Sequence, residues 1–331
     1  MKYLPKHNKK TALLYAVGVA FAIFSAFFGF LSGSTEVSFS DIFDGLFGNS
    51  DTVGARIFEF VRLPRTCAAL LCGSALAVSG AVTQNVLNNR LASPSIIGVN
   101  SGAGLAVTLC AAFGIIGGWR VSLFAFLGAL AAVSIISLGA RKWGASEGTV
   151  ILMGVAMNSL LGAVSEAIVT LKPEVSVFSA DFKSGDLSGA TLDRLLPVFV
   201  IILFSLALLI LLSPHLELLS MGDGTATALG LNTRLMRSIF LVLAALLAGS
   251  AVSVGGLISF VGLLVPHALK RLAITQTRHL IPLCALFGAG FVTLCDTLAR
   301  TLFAPYEIPV GIILAFIGAP IFVAILIGKK R

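Results

Sequence analysis

From Leu13 to Leu31 the chain carries no charged side chain. Runs like it return at intervals to the C-terminus, with Lys, Arg, Asp and Glu gathered in the gaps. A helix of about 20 apolar residues crosses the hydrocarbon of a bilayer, and inside that hydrocarbon each backbone N–H and C=O must be satisfied without water. Only 11% of the 331 residues are charged, against 57% hydrophobic, whereas soluble domains carry about 25% charged residues. Such a chain cannot cover its own surface in water. The expectation is an all-α, polytopic membrane protein of about ten transmembrane helices, forming one membrane domain over residues 1–331.

The run after Lys10 exceeds the apolar core of a secretory signal, so it is expected to stay as the first span, Leu13–Leu31. Ser32–Phe60 is amphipathic and acidic (Glu36, Asp41, Asp44, Asp51, Glu59) and is placed outside the bilayer. The second span starts near Arg62, and Asn88, Asn89, Arg90 and Pro94 mark the turn after it. The third follows from Ser93, with Gly98, Ser101, Gly102 and Gly104 allowing close helix contact. The fourth ends at Gly139, the fifth covers Thr149–Leu171, the sixth ends at Leu212 and the seventh covers Leu235–Val252. A broken segment from Val252 supplies the eighth, Leu280–Leu298 the ninth and Val310–Ile327 the tenth.

Ten spans put both basic tails on one side. On that count the presumed cytoplasmic positions hold 15 of the 23 Lys and Arg, and the opposite face holds 8. The bias is the one that orients membrane proteins, and it places both termini in the cytoplasm. The net charge of +8 is scattered between spans instead of gathered on one face, so topology explains it better than nucleic-acid binding. Arg62, Arg65 and Arg300 flank span boundaries on the outer side and call for a separate explanation.

The segment from Val252 to Arg271 is apolar but interrupted by Gly255, Gly256, Gly262 and Pro266. A helix broken this way survives in a membrane where neighbouring protein or a wet cavity takes up the freed backbone groups. His267, beside Pro266, is expected to bond one of those carbonyls, with a proton-relay role as the sharper alternative. In the fifth span, Asn158, Gly162, Ser165 and Glu166 share one helical stripe, with Ser159 beside it. A carboxylate in a span ordinarily faces a bundle interior or water, which makes this stripe the first candidate for a pathway lining. The plainer alternative pairs Glu166 with an arginine near the outer interface. Asp296 lies four residues before Arg300, the spacing of an i,i+4 pair.

Residues 214–231 read as two short helices, with Gly222, Asp223 and Gly224 as the turn, Asp223 as a cap and Gly230 as a helix end. A compact hairpin in a cytoplasmic loop is a plausible knob for a soluble partner. No GxxxxGK[ST], HExxH or GxSxG motif is present, so the chain is read as no enzyme and needs a partner or an ion gradient for any pumping. The five cysteines lie in apolar runs without CxxC spacing, and no metal or cofactor site is expected.

Four stretches together resemble the FecCD-type permeases of bacterial ABC importers for iron-siderophores, haem and cobalamin. They are RLPRTCAALLCGSALAVSGAVTQNVLNNRLASPSIIGVNSGAG from Arg62, LELLSMGDGTATALGL from Leu216, GGLISFVGLLVPHALKRL from Gly255 and LCDTLARTLFAPYEIPVGIILAFIGAPIFVAIL from Leu294. The resemblance implies a type II importer permease in the bacterial cytoplasmic membrane. Its partners would be a second permease (a copy or a paralogue), two cytoplasmic ATPase subunits that bind the ATP, and an extracytoplasmic binding protein. It also implies that Arg62, Arg65 and Arg300 grip acidic residues of the binding protein. Ser220, Met221, Gly222, Asp223, Ala228, Leu229 and Gly230 would enter a groove on the ATPase. The fifth and tenth spans would line the pathway, with Ser146 and Glu147 near its cytoplasmic gate. Asn89-Arg90-Leu91 departs from the asparagine-proline-leucine common in the family, and Gly256-Leu257 from a glycine-proline pair. The rival class is an ion-coupled secondary transporter using Glu166 and Asp296; a membrane scaffold would leave the polar stripe unexplained.

Overall fold

A computed structural model describes residues 6–33, 35, 37–47, 52–144 and 146–327. The basic ends of both tails (Met1–Pro5 and Gly328–Arg331), together with Glu36 and Asp51, lie outside the described residues. The elements are α1 (Lys6–Leu31), α2 (Phe39–Leu46), α3 (Val53–Ile57), α4 (Leu63–Val86), α5 (Val99–Ala112), α6 (Gly118–Trp143), α7 (Glu147–Leu171) and α8 (Ser176–Ser184). They continue as α9 (Leu192–Leu211), α10 (Ser213–Leu219), α11 (Asp223–Ala228), α12 (Thr233–Gly255), α13 (Val261–Arg271), α14 (Thr277–Thr301) and α15 (Val310–Ile327). Among the described residues, seven helical segments are long and apolar enough to cross a membrane. The other three of the ten expected spans are the shorter α5, α13 and α15.

The axis of the bundle is α4, buried almost continuously from Pro64 to Val86. Lipid offers no hydrophobic drive between helices, so contact depends on close van der Waals packing of small residues. A Cβ on Gly73 would sit 2.2 Å from the Gly288 carbonyl of α14, and one on Gly80 would sit 1.9 Å from the Gly262 carbonyl of α13. The pair Gly102 and Gly128 joins α5 to α6 in the same way, at 2.3 Å. Of the other small residues singled out on the third span, Gly98 takes a left-handed φ of 91° and Ser101 bonds Asn158, while Gly104 faces open space. Helices α12, α13, α14 and α1 gather about α4, and α5, α6 and α7 form a second group joined through α12.

Three boundaries differ from the sequence reading. The second span begins at Val53, because a π-turn over Phe58–Arg62 makes α3 and α4 one continuous helix. Pro64 has no N–H to give the Phe60 carbonyl; the i→i+5 bond from Leu63 N to Phe58 O absorbs that gap. The third span is shorter than expected, since Ser93–Gly98 is a run of turns and only Val99–Ala112 is helical.

The break moves as well. Gly255 closes α12, Gly256 (φ 65°) ends it, and 256–260 is non-helical before α13 starts. A Cβ on Gly256 would meet the Phe182 carbonyl at 2.5 Å, and that carbonyl accepts from Leu257 N at 3.0 Å. Gly262 and Pro266 do not break α13. Pro266 frees the Gly262 carbonyl, and Gln84 Nε2 of α4 donates to it at 3.2 Å. The sequence reading gave the freed carbonyl to His267; Gln84 takes the Gly262 carbonyl, and His267 lies edge-on to Phe322, ring centroids 6.1 Å apart.

Candidate functional site

Side chains that carry chemistry gather at the two ends of the bundle and along α7. At one end meet the C-terminal ends of α1 and α14 and the start of α4. Arg65 Nε donates to Asp296 Oδ1 at 3.0 Å and its Nη1 to Glu307 Oε2. Arg300 Nε lies 3.1 Å from Asp296 Oδ2, and its Nη2 donates to the Gly29 carbonyl. Arg62 donates to the carbonyls of Phe30, Leu31 and Thr35. All three arginines are 2% exposed and Asp296 is fully buried. This corrects the reading of Arg62, Arg65 and Arg300 as outward grips for a partner. A guanidinium left in a bundle must be paired or bonded, and these tie α1, α4, α14 and the 302–309 loop together, with Arg65 Nη2 buried and without a hydrogen-bond partner among the described residues. The i,i+4 pair of Asp296 and Arg300 is present, but Asp296 is shared with Arg65. What this face does present is the 302–309 loop, with Leu302, Phe303 and Tyr306 exposed.

The stripe on α7 divides. Asn158 Nδ2 donates to the carbonyls of Ser95 and Ile96 at 2.9 and 3.3 Å, and its Oδ1 accepts from Ser101 Oγ at 2.6 Å. It therefore pins the turns ahead of α5 instead of facing an open path. Ser165 is buried and bonds back to the Leu161 carbonyl, whereas Ser159 and Glu166 are exposed and Gly162 is half-buried. Glu166 pairs with Lys183 Nζ at 2.9 Å, both side chains largely exposed. The partner is a lysine and not the arginine of the plainer reading. A face of α7 bearing Leu152, Val155 and Leu160 is uncovered within one chain, as is a face of α15 bearing Ile312 and Phe316. A cavity of about 220 Å³ opens where the turns before α5 (Ser93, Pro94, Ser95) meet the break before α13 (Ser259, Phe260).

At the other end Ser146 caps α7, its Oγ accepting from Thr149 N at 3.4 Å. Glu147, the first residue of α7, accepts at Oε1 from Asn88 Nδ2 (2.7 Å) and from Arg237 Nη2 (3.3 Å). The same Nη2 donates to Asp223 Oδ1 at 2.6 Å. Asp223 opens α11 but does not cap it; Gly222 (φ 94°) holds the cap position, because the Asp223 carboxylate is engaged by Arg237. Leu216, Leu219 and Ala226 anchor the α10–α11 hairpin, while Met221, Ala228, Leu229 and Gly230 remain exposed, with Ser220 at the bend. Gly230 turns the chain out of α11 at φ 86°. A basic cavity of about 470 Å³ lies alongside, lined by Arg90, Lys270, Arg271 and His267. Glu307 had no assigned role in the sequence, Asn88 was read only as part of a turn and Arg237 only as a cytoplasmic cation. Their one signal was a polar residue at the edge of an apolar run, which is also where anchoring residues sit.

A family model described as the FecCD transport family matches residues 21–328. The chain belongs to the FecCD transport family. It is an integral membrane permease, a transport subunit. It is 35% identical to the uncharacterized ABC transporter permease protein YvrB of Bacillus subtilis, over 98% of this chain and 96% of that one. It is 32% identical to the Fe(3+)-citrate import system permease protein YfmD of the same organism, over 96% and 95%. A solved metal-chelate type ABC transporter in an inward-facing conformation shares its fold at a TM-score of 0.85 and 29% identity, covering 96% of this chain and 99% of that one.

Proposed function

We propose that this chain is the permease subunit of an ABC importer that passes a ferric-siderophore or similar iron chelate across the bacterial cytoplasmic membrane, driven by ATP hydrolysis in separate partner subunits. The observation that carries the proposal is the α10–α11 hairpin, anchored by buried leucines yet presenting Met221, Ala228 and Leu229 beside the first turn of α7. A cytoplasmic ATPase seats on that tip, which makes the Glu147 face cytoplasmic and puts both termini on that side. A second permease, a copy or a paralogue, covers the open faces of α7 and α15. The pathway then runs between the two, past Ser159, Gly162 and Glu166, with Ser146 and Glu147 at its inner end. An extracytoplasmic binding protein docks on the opposite face. There the exposed 302–309 loop makes the contact, held from beneath by Arg65 through Glu307. Haem or cobalamin is the alternative cargo within the same fold.

An ion-coupled carrier fits less well, because an ion or proton site needs an acid not already neutralised. Asp296 sits between two guanidiniums, and Glu166 faces Lys183. The test is uptake of radiolabelled ferric citrate and ferric hydroxamate into proteoliposomes holding the permease, its ATPase and its binding protein. Uptake that needs internal ATP and ignores an ionophore supports the proposal; uptake that an ionophore abolishes, with ATP irrelevant, overturns it.

A further inference from the structure

Arg237 lies one turn into α12, 4% exposed, and joins two acids from different elements through one nitrogen. Each acid is the first residue of its helix, Glu147 of α7 and Asp223 of α11. Both already sit where the helix dipole favours negative charge, so the guanidinium clamps two helix starts to a third helix. Asn88 makes a second tie, from Glu147 Oε1 to the Leu219 carbonyl at the end of α10.

We infer that Arg237 is the positioning residue that couples the α10–α11 hairpin to the start of α7, so that displacement of the hairpin is delivered to the inner end of the transport path. This rests on the importer reading above. Arg237 is buried although Glu147 and Asp223 are partly exposed, and a buried guanidinium parted from its carboxylates is costly, so a push on the hairpin moves Asp223, Arg237 and Glu147 together. A planar guanidinium suits a bridge between two carboxylates; a lysine ammonium is a point charge on a flexible stem and serves it poorly.

The experiment uses the whole complex in proteoliposomes and reads chelate taken up per ATP hydrolysed, with thermal unfolding measured alongside. For Arg237→Gln the expected result is a ratio lower by about tenfold, within the range of coupling between contacting residues, with Arg237→Lys recovering only part of it. A purely structural role would lower uptake and hydrolysis in proportion and leave the ratio unchanged, which overturns the inference. The second measurement is a cycle of Asp223→Asn and Glu147→Gln in the native Arg237 background, which stands even if Arg237→Gln fails to fold. Non-additive effects on the ratio support the relay, and additive effects refute it. If the unaltered complex shows no ATP-dependent uptake at all, the importer reading fails, and that result is distinct from either outcome.

Discussion

Replacing Gly80 by alanine should loosen the bundle where α4 meets the half-helix α13. The new methyl would lie 1.9 Å from the Gly262 carbonyl oxygen and 2.4 Å from its Cα. Both are backbone atoms, so no side chain can swing away, and ordinary contact returns only if the helices part by on the order of 1 Å or more. Overpacking of this kind costs about 1–3 kcal/mol. Parting the helices also stretches the 3.2 Å bond from Gln84 Nε2 to that carbonyl, and a buried acceptor left unmet adds about 1–3 kcal/mol. Against this stands the better helix propensity of alanine, about 1 kcal/mol. The clash wins, and a net loss of about 1–5 kcal/mol is expected. Thermal unfolding in detergent measures it, with Gly104→Ala, whose methyl would meet nothing within 4 Å, as the control. Gln84→Ala should cost less in the Gly80→Ala background than in the parent, because the Gly262 bond is already weakened, the remainder being the bond from Lys270 Nζ to Gln84 Oε1 at 3.2 Å. An unfolding temperature equal to or above that of the parent would refute the close-contact reasoning.

Asp296→Ala leaves Arg65 and Arg300 buried without their shared acid, so a loss of about 3–5 kcal/mol is expected by the same unfolding assay. Glu166→Gln removes an exposed pair with Lys183 and should change stability by less than about 1 kcal/mol, with uptake retained. Near-total loss of uptake would revive Glu166 as an ion site. The Asp41 carboxylate, held by the hydroxyls of Ser38 and Thr52 and by Ser38 N, titrates below the usual carboxylate range. Its depressed pKa means that the α2 cap is in force above about pH 4 and lost as pH falls through the lowered value. Amide exchange in α2 and α3 at neutral pH should therefore be faster in Asp41→Asn, and the difference should vanish in acid.

The long apolar runs declared the helices, because in lipid length and composition leave little choice of structure. Where the chain departs from a plain helix, the reading was coarser. Glycine and proline at 255, 256, 262 and 266 signalled a break, but only the tertiary environment told which of them makes it. Gly256 meets the Phe182 carbonyl and must turn, whereas Pro266 is tolerated because Gln84 stands opposite. The site was less legible for a related reason. Arg62, Arg65 and Arg300 look in sequence like residues at an aqueous rim, and only three-dimensional proximity to Asp296, Glu307 and the carbonyls of α1 turns them inward. Arg237 was one more cation in a topology count, since its two acids lie 90 and 14 positions away.

The bond from Leu257 to Phe182 has one more effect. Leu257 N goes to a carbonyl of another element, while Ile258 N and Val261 N reach only two residues back, to Gly256 and Ser259, so no helical hydrogen-bond ladder runs from α12 into α13. A change in the angle between these two rods would therefore break no i→i−4 bond across the link.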